Sequence, residues 1–251
     1  MLVVVDQPNY IPWKGYFDLI HDADLFVFYT DVQYTVRDWR NRNKIVTPNG
    51  DKWLSVPVGN DIHRLICEVK INDSMWQKNH YDTIKFAYSK TKYFNKYKDF
   101  LEYCYLDKKW DNLCDLDCYM IKTIAHDFLG CKTEFEDSRN FVTHGEKHER
   151  MLNLLKNIKE NQGENLTNKK LDYLSGPAAK DYIVAADYKA SDIGLAWKNY
   201  EGYPVYNQCY NLSFNHFVSI FDLLFNTGED APYFIWGWRE ESGIKSYTWC
   251  N

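Results

Sequence analysis

Two stretches of sequence decide the fold: Leu2-Val3-Val4-Val5 and Leu25-Phe26-Val27-Phe28-Tyr29. Both are short apolar runs rich in β-branched or aromatic residues, which is typical of strands buried on both faces. Between them, Pro8 and Pro12 end the first strand, and the apolar residues of 15–22 recur at helical spacing. A strand, a loop, a short helix and a second strand form a βαβ unit with parallel strands and a right-handed crossover. We therefore expect an α/β fold built on a mainly parallel sheet.

The rest of the chain adds a largely helical middle region at about 74–130 and then returns to mixed α/β structure. In the middle region, Trp76, His80, Ile84 and Tyr88 lie four residues apart and so share one helix face. The remaining elements that the patterns predict are strands at 53–58, 65–71 and 193–197, helices at 144–158, 178–186 and 217–225, and a polar loop at 162–170. We expect one domain over residues 1–251.

Composition narrows the class of protein. The chain has 251 residues and a net charge of −5, which argues against a protein that coats nucleic acid. Aromatic residues make up 17% of it, more than one core usually needs, so some rings are expected to line a binding surface. No apolar run has the length of a membrane span, and no signal peptide is visible. Seven cysteines without a CxxC pair predict reduced thiols and no metal site, as in a cytoplasmic protein.

Several blocks resemble the WbqC-like protein family. The first runs from Gln7 to Phe17 (QPNYIPWKGYF), and the second covers Asp31-Val32-Gln33-Tyr34 and continues from Arg37 to Ile45 (RDWRNRNKI). Others follow at Trp76, Lys78 and His80, at 173–182 (YLSGPAAKDY) and at 222–226 (DLLFN), in an order that spans nearly the whole chain. The resemblance implies a role in surface-polysaccharide or lipopolysaccharide biosynthesis, with transfer of glycine or a related acyl group to an amino sugar. Similar sequences often carry His before Gln-Pro; with Asp6 here, a carboxylate or another residue would have to replace an imidazole base.

The segment from Asp31 to Arg42 carries the strongest chemical signal. It follows a buried strand, and ligands of open α/β sheets bind at the carboxyl ends of strands. Planar guanidinium groups suit phosphate or carboxylate, and aromatic rings stack on a base or a sugar. The substrate-binding candidates in this segment are Gln33, Tyr34, Arg37, Trp39, Asn41 and Arg42, with Arg40 as a third guanidinium beside Arg37 and Arg42. The alternative is a surface hairpin whose arginines pair with acidic residues.

Two further segments and two candidate bases complete the predicted site. The loop after the first strand leads into a helix N-terminus, where Gln7 and Tyr10 are candidate hydrogen-bonding groups, unless the loop is purely structural. In the turn before residue 178, Ser175 is a candidate substrate contact or a helix N-cap, and Lys180 a candidate phosphate contact. Asp31 and His80 are rival proton acceptors, and a histidine on an apolar helix face is more often a core residue.

These residues lead to one functional hypothesis with two alternatives. We expect a transferase that acylates the amine of a nucleotide-linked amino sugar, with the arginines on the phosphates and with Trp39 and Tyr34 beside the base or sugar. No tightly bound cofactor is expected, and the acyl donor is left open among a coenzyme A thioester, a carrier protein and an aminoacyl-tRNA. The alternatives are a non-catalytic protein that binds sugar nucleotides or acts as a scaffold, and an ATP-dependent amide ligase. The sequence leaves homo-oligomerisation open.

Overall fold

A six-stranded sheet lies at the centre of the described structure. The computed structural model describes residues 1–73, 75–161, 170–211 and 213–250; the predicted loop at 162–170 lies almost wholly outside these residues. The strands, in chain order, are β1 (Leu2–Asp6), β2 (Leu25–Phe28), β3 (Arg42–Thr47), β4 (Gly50–Ser55), β5 (Glu134–Asp137), β6 (Leu171–Ser175), β7 (Ile193–Lys198) and β8 (Tyr247–Trp249). The sheet has the order β5-β2-β1-β6-β7-β8, and only the β7–β8 pair is antiparallel. The predicted α/β fold with a mainly parallel sheet is confirmed.

Helices cover both faces of this sheet. They are α1 (Lys14–Asp22), α2 (Trp76–Tyr88), α3 (Phe94–Glu102), α4 (Leu113–Thr123), α5 (Lys147–Asn161), α6 (Ala185–Ala190), α7 (Ile220–Thr227) and α8 (Trp238–Ser242). Because side chains alternate along a strand, Val4 faces the larger core with α1–α4 and α7, whereas Val3 and Val5 face a smaller core with α5 and α6. The helices α2–α4 form the middle region that the sequence predicts.

The segment between the hairpin and the helical region differs from the prediction. Strands β3 and β4 form a separate two-stranded antiparallel hairpin. The predicted strand at 65–71 is wrong: this segment contains a 3₁₀ turn, Ile66–Glu68, and single bridges at Leu65 and Lys70. Its apolar residues are satisfied by packing, since Ile66 and Val69 are buried in the larger core, so their pattern does not require a strand.

A buried charge cluster connects α1 with β7 and α8. The Asp18 carboxylate on α1 pairs with Lys198 at 2.8 Å and with Arg239 at 2.8 and 2.9 Å. All three side chains are nearly inaccessible to solvent, so each charge depends on the others for compensation. Lys198 ends β7 and Arg239 lies on α8, so the cluster holds three elements in one arrangement.

The loop after β1 has a strained backbone that the hairpin supports. Ile11 is buried and has a φ of +38°, which is unusual for a β-branched residue. The Asn43 side chain on β3 donates hydrogen bonds to the carbonyls of Tyr10 (3.3 Å) and Ile11 (2.9 Å). The Tyr10 amide donates to the carbonyl of Trp39 at 3.0 Å. These contacts fix the loop from Asp6 to Trp13, on which the sites described below are built. Among the described residues, no helix is both long and apolar enough to cross a bilayer.

Candidate functional site

A crevice of about 1010 Å³ opens at the carboxyl end of the parallel strands. It lies at the junction of β1 and β6, from which the chain runs towards opposite edges of the sheet. In open α/β sheets this switch point is where ligands bind, because neighbouring connections leave on opposite faces and open a gap. The residues at its floor follow β1, β2 and β6, and one wall is the beginning of α5: Asp6, Gln7, Tyr29, Asp31, Gln33, Tyr173, Ser175, Gly176, Gly145, Glu146, Lys147 and Arg150.

Asp6 is the carboxyl group on the crevice floor. It is the last residue of β1, and the Gln7 amide donates to its Oδ1 at 2.8 Å. Burial at the end of the strand raises the pKa of Asp6, and the positive charge of Arg40 opposes that rise. A carboxylate with a raised pKa is a better proton acceptor than an exposed one. Asp6 therefore occupies the place at which a general base would act on a ligand in the crevice.

Gln7 lies beside this carboxyl group with an unused acceptor. It also lines the crevice. Its side-chain Oε1 is buried and has no hydrogen-bond partner among the described residues. A buried acceptor without a donor is costly, so a ligand that brings an N–H or O–H group to Oε1 would be favoured. The structure thus brings the predicted substrate contact Gln7 together with Asp6.

Asp31 lies in the crevice but is held in an ion pair. Its Oδ2 accepts a hydrogen bond from Arg150 at 2.5 Å, and its Oδ1 accepts one from the Ser138 hydroxyl at 2.5 Å. With both carboxylate oxygens occupied, Asp31 orients Arg150 and is poorly placed to take a proton from a ligand. The structure therefore favours Asp6 over Asp31 as the proton acceptor.

The beginning of α5 presents two cations to the crevice. Lys147 and Arg150 lie in the first turn of this helix, where the helix dipole disfavours positive charge. The chain enters the helix through left-handed residues, Gly145 (φ +84°) and Lys147 (φ +48°). The φ of Gly145 favours glycine, since other residues rarely adopt it. Lys147 and Arg150 bring positive charge to one wall of the crevice, where Arg150 is paired with Asp31 and Glu149 lies in the same turn.

Tyrosine rings and the turn after β6 form the rest of the crevice. Tyr29, Tyr173 and Tyr182 line it, and Tyr173 stacks on Tyr188 with a centroid distance of 5.8 Å. The Tyr173 hydroxyl donates to the Ser175 hydroxyl at 3.2 Å, so the predicted contact Ser175 does lie at the crevice, and it caps no helix.

Of two further predicted substrate contacts, one lines the crevice and the other does not. Gln33 lines the crevice. Lys180 instead lies over the Trp197 ring, 5.7 Å from its centroid, outside the crevice lining.

Tyr10 and His80 form part of the core instead of the crevice. Tyr10 is fully buried, and its hydroxyl is hydrogen bonded to His80 Nδ1 at 2.8 Å and to the Tyr105 hydroxyl at 2.6 Å. Burial lowers the pKa of His80 to about 4, with Lys52 adding to the effect, so its ring is neutral near pH 7. A neutral histidine enclosed by Trp76 and two tyrosines holds the core together and has no access to a ligand in the crevice.

The arginine-rich segment does not converge on one ligand. Arg37 is exposed and has a left-handed backbone (φ +57°). The Arg42 guanidinium lies over the Trp53 ring, 4.5 Å from its centroid, and donates to the carbonyl of Arg37. Arg40 pairs with Asp38 at 3.3 Å. None of the three lines the crevice, so the expectation that they hold the phosphates together is corrected.

The three remaining predicted contacts in this segment also lie elsewhere. Tyr34 is buried under Arg64. The Asn41 side chain donates to the carbonyl of Val56 at 3.0 Å. Trp39 packs on Trp53 and lines a second, smaller pocket. The segment from Tyr34 to Arg42 thus packs against the hairpin and contributes one wall of that pocket.

The comparisons with known proteins identify the family of the chain. Fold and crevice define an α/β protein with a candidate ligand crevice at the switch point of its parallel sheet. The chain belongs to the WbqC-like protein family, whose profile matches residues 7–233. It is 37% identical over 235 residues to the uncharacterized protein Rv1507c of Mycobacterium tuberculosis, covering 93% of this chain and 96% of that protein. No solved structure matches the chain.

Proposed function

We propose that this protein transfers an acyl group to the amine of a nucleotide-linked amino sugar bound in the crevice. One observation carries the proposal: a carboxyl group with a raised pKa and two cationic side chains lie in the same crevice. Such a ligand has both matching groups, since its diphosphate is anionic and its amine must lose a proton. The crevice volume of about 1010 Å³ is at the upper end for small-molecule sites and accommodates a ligand of this size.

Each group of the crevice has a defined role in this reaction. Lys147 and Arg150 hold the diphosphate, and Asp31 keeps Arg150 in place. The amine attacks the carbonyl carbon of the acyl donor, so a C–N bond forms and the C–S bond of a thioester or the C–O bond of an aminoacyl ester breaks. The departing sulfur or oxygen takes up the proton that the amine loses and leaves as the free thiol or the tRNA hydroxyl. Asp6 accepts the amine proton, and Gln7 Oε1 accepts a hydrogen bond from the remaining N–H. The donor is a coenzyme A or carrier-protein thioester or an aminoacyl-tRNA, and no bound cofactor takes part.

The reaction is tested by mass spectrometry of the product. Purified protein is incubated with uridine- and thymidine-diphosphate amino sugars that have a free amine, together with acetyl-coenzyme A or glycyl-tRNA. We expect a mass gain of one acyl group, and a fall in kcat of about 10²–10⁴-fold for Asp6→Asn, as is usual when a general base is removed. Sugar-nucleotide binding without turnover under any donor would instead make the protein a binding module. Undiminished kcat in Asp6→Asn would refute the role of Asp6.

Two arginine variants test where the diphosphate binds. Arg150→Met should weaken binding of uridine diphosphate by about tenfold or more, because a charge-assisted contact is lost. The matched control is Arg139→Met, which removes another arginine–aspartate pair at the same edge of the sheet without touching the crevice. Equal affinities for the two variants would place the diphosphate elsewhere.

Asp6→Asn also has a predicted effect on stability. A carboxyl group whose pKa is raised in the folded state favours folding only while it is protonated, and this advantage is lost as the pH rises through the folded pKa. The variant should therefore gain stability relative to the wild type from pH 4 to pH 8, as measured by urea denaturation. A loss of activity accompanied by this gain cannot be attributed to unfolding.

A further inference from the structure

A second pocket lies next to the crevice, on the same loop. Asp6 and Gln7 line the crevice, whereas Asn9, Pro12 and Trp13 line a pocket of about 250 Å³. The other walls of this pocket come from the arginine-rich segment, from β3 and from the residues before α7: Trp39, Asn43 and Phe217. The proposed acyl transfer makes no use of these residues.

Three aromatic rings line this pocket, and each also packs on a neighbouring ring; Trp13 packs on Tyr200 at 5.3 Å besides Phe217. Trp13 packs on Phe217 with a centroid distance of 5.4 Å, and Trp39 packs on Trp53 at 5.6 Å. Two of these rings are unusually open to solvent, with Trp39 exposed by 43% and Phe217 by 64%. Single exposed rings scattered over a surface are ordinary, but exposed rings that surround one cavity indicate a binding surface.

The polar groups of the pocket are neutral amides. Asn9 Oδ1 accepts a hydrogen bond from Arg40 at 3.4 Å, and its Nδ2 donates to no acceptor in the described part of the chain. Asn43 is used to support the loop backbone. No charged side chain is among the described residues that line the pocket, so a charged ligand would find no opposite charge there.

We infer that this pocket binds one uncharged pyranose ring. Its volume fits a single sugar ring, the tryptophan faces suit the C–H face of a pyranose, and the free Asn9 amide suits a hydroxyl group. A nucleobase also stacks on a single aromatic ring, so adenosine is the competing probe in the test. The inference does not rest on acyl transfer in the crevice.

The test is a titration with neutral saccharides, monitored by tryptophan fluorescence and by saturation-transfer NMR. The probes are methyl β-glucopyranoside and N-acetylglucosamine at millimolar concentrations, with adenosine as the nucleobase probe. We expect saturable binding of a saccharide that weakens at least tenfold in Trp39→Ala and in Phe217→Ala. The matched control is Phe86→Ala, which removes an equally exposed ring on α2, outside this pocket, and should leave the affinity unchanged.

Crevice variants distinguish the two sites. Asp6→Asn and Arg150→Met should leave saccharide binding unchanged, even if the proposed transfer reaction is wrong. Absence of saturable saccharide binding, binding that is lost with the crevice variants, or a response to adenosine alone would each overturn the inference. Circular dichroism spectra of the Trp39 and Phe217 variants ensure that a loss of binding is not a loss of fold.

Discussion

Acid should destabilise this protein in part through His80, a residue buried in its core. The side chain is buried, with only 7% of its surface exposed, and burial lowers its pKa from 6.5 to about 4. In the unfolded chain the same ring is exposed and becomes protonated at the higher pH. Between pH 6.5 and pH 4 the unfolded state therefore binds more protons than the folded state, and stability falls as the pH is lowered through this window. Above about pH 7.5 the contribution is nearly complete and changes little.

The size of the stability loss follows from the difference between the proton affinities of His80 in the unfolded and the folded state. Each tenfold difference in affinity corresponds to about 1.4 kcal/mol, so the full effect below pH 4 is about 3 kcal/mol. At pH 5, where the folded ring is still mainly neutral, the expected loss relative to pH 7.5 is about 2 kcal/mol. This is a large part of the 5–15 kcal/mol that is typical of folded domains.

The measurement compares the wild type with His80→Gln, which keeps a polar side chain but cannot titrate. Urea denaturation at constant ionic strength, followed by tryptophan fluorescence, gives the free energy of unfolding at pH 7.5, 6.5, 5.5 and 5.0. The wild type should lose about 2 kcal/mol more than the variant between pH 7.5 and pH 5. Carboxyl groups with raised pKa, such as Asp117 and Asp222, act in the opposite direction but contribute equally to both proteins.

An exposed histidine provides the control. His63 is open to solvent, so His63→Gln should retain the pH dependence of the wild type. If His80→Gln and the wild type lose the same free energy between pH 7.5 and pH 5, the ring is already charged or accessible in the folded state. His80 would then become a candidate for proton transfer again.

Two other predictions concern the packing around the sheet. Arg239→Met leaves the buried Asp18 with one cation fewer and should cost about 2–4 kcal/mol of unfolding free energy. Lys96→Met removes an exposed ion pair and should cost less than about 0.5 kcal/mol. Equal urea midpoints for the two variants would show that the buried cluster is not needed for stability. Gly228→Ala places a Cβ 2.4 Å from the Tyr93 ring at a residue with φ +61° and should lower stability by about 1–3 kcal/mol, and an unchanged melting temperature would contradict that strain.

The sequence predicted the elements that follow from local periodicity. The strands at Leu2–Asp6 and Leu25–Phe28 and the helical middle region follow from runs and spacings within a few residues. Strand β5 was not predicted, because Glu134-Phe135-Glu136-Asp137 lies at the sheet edge and carries polar side chains. Such a strand is specified by its pairing with β2 and not by its own composition.

The candidate site also depends on contacts between segments that local sequence patterns do not specify. Gln7 and Asp31 reach the crevice because they closely follow β1 and β2, two strands whose positions the sequence predicts. Gln33 lies further along the segment after β2, and Ser175 is the last residue of β6. The arginines of residues 37–42 are neighbours in sequence, yet a left-handed residue and an aromatic stack direct them apart. Arg150 was missed because only the path of α5 across the sheet brings it to Asp31. In the predicted helix at 144–158 it lies in the second turn, and only the observed start of α5 at Lys147 places it near the helix N-terminus.

The loop from Asp6 to Trp13 is the element that connects these findings. A buried isoleucine with positive φ costs roughly 1–3 kcal/mol, and the native structure retains it only because neighbouring contacts over-determine it. Here the contacts come from Asn43, whose amide holds two consecutive carbonyls of the loop while its side chain also lines the aromatic pocket. Asp6 and Gln7, at the start of this loop, line the crevice, and Asn9 and Trp13 line the pocket. One short stretch of backbone therefore contributes to both cavities, and Asn43 holds it in place at the carbonyls of Tyr10 and Ile11.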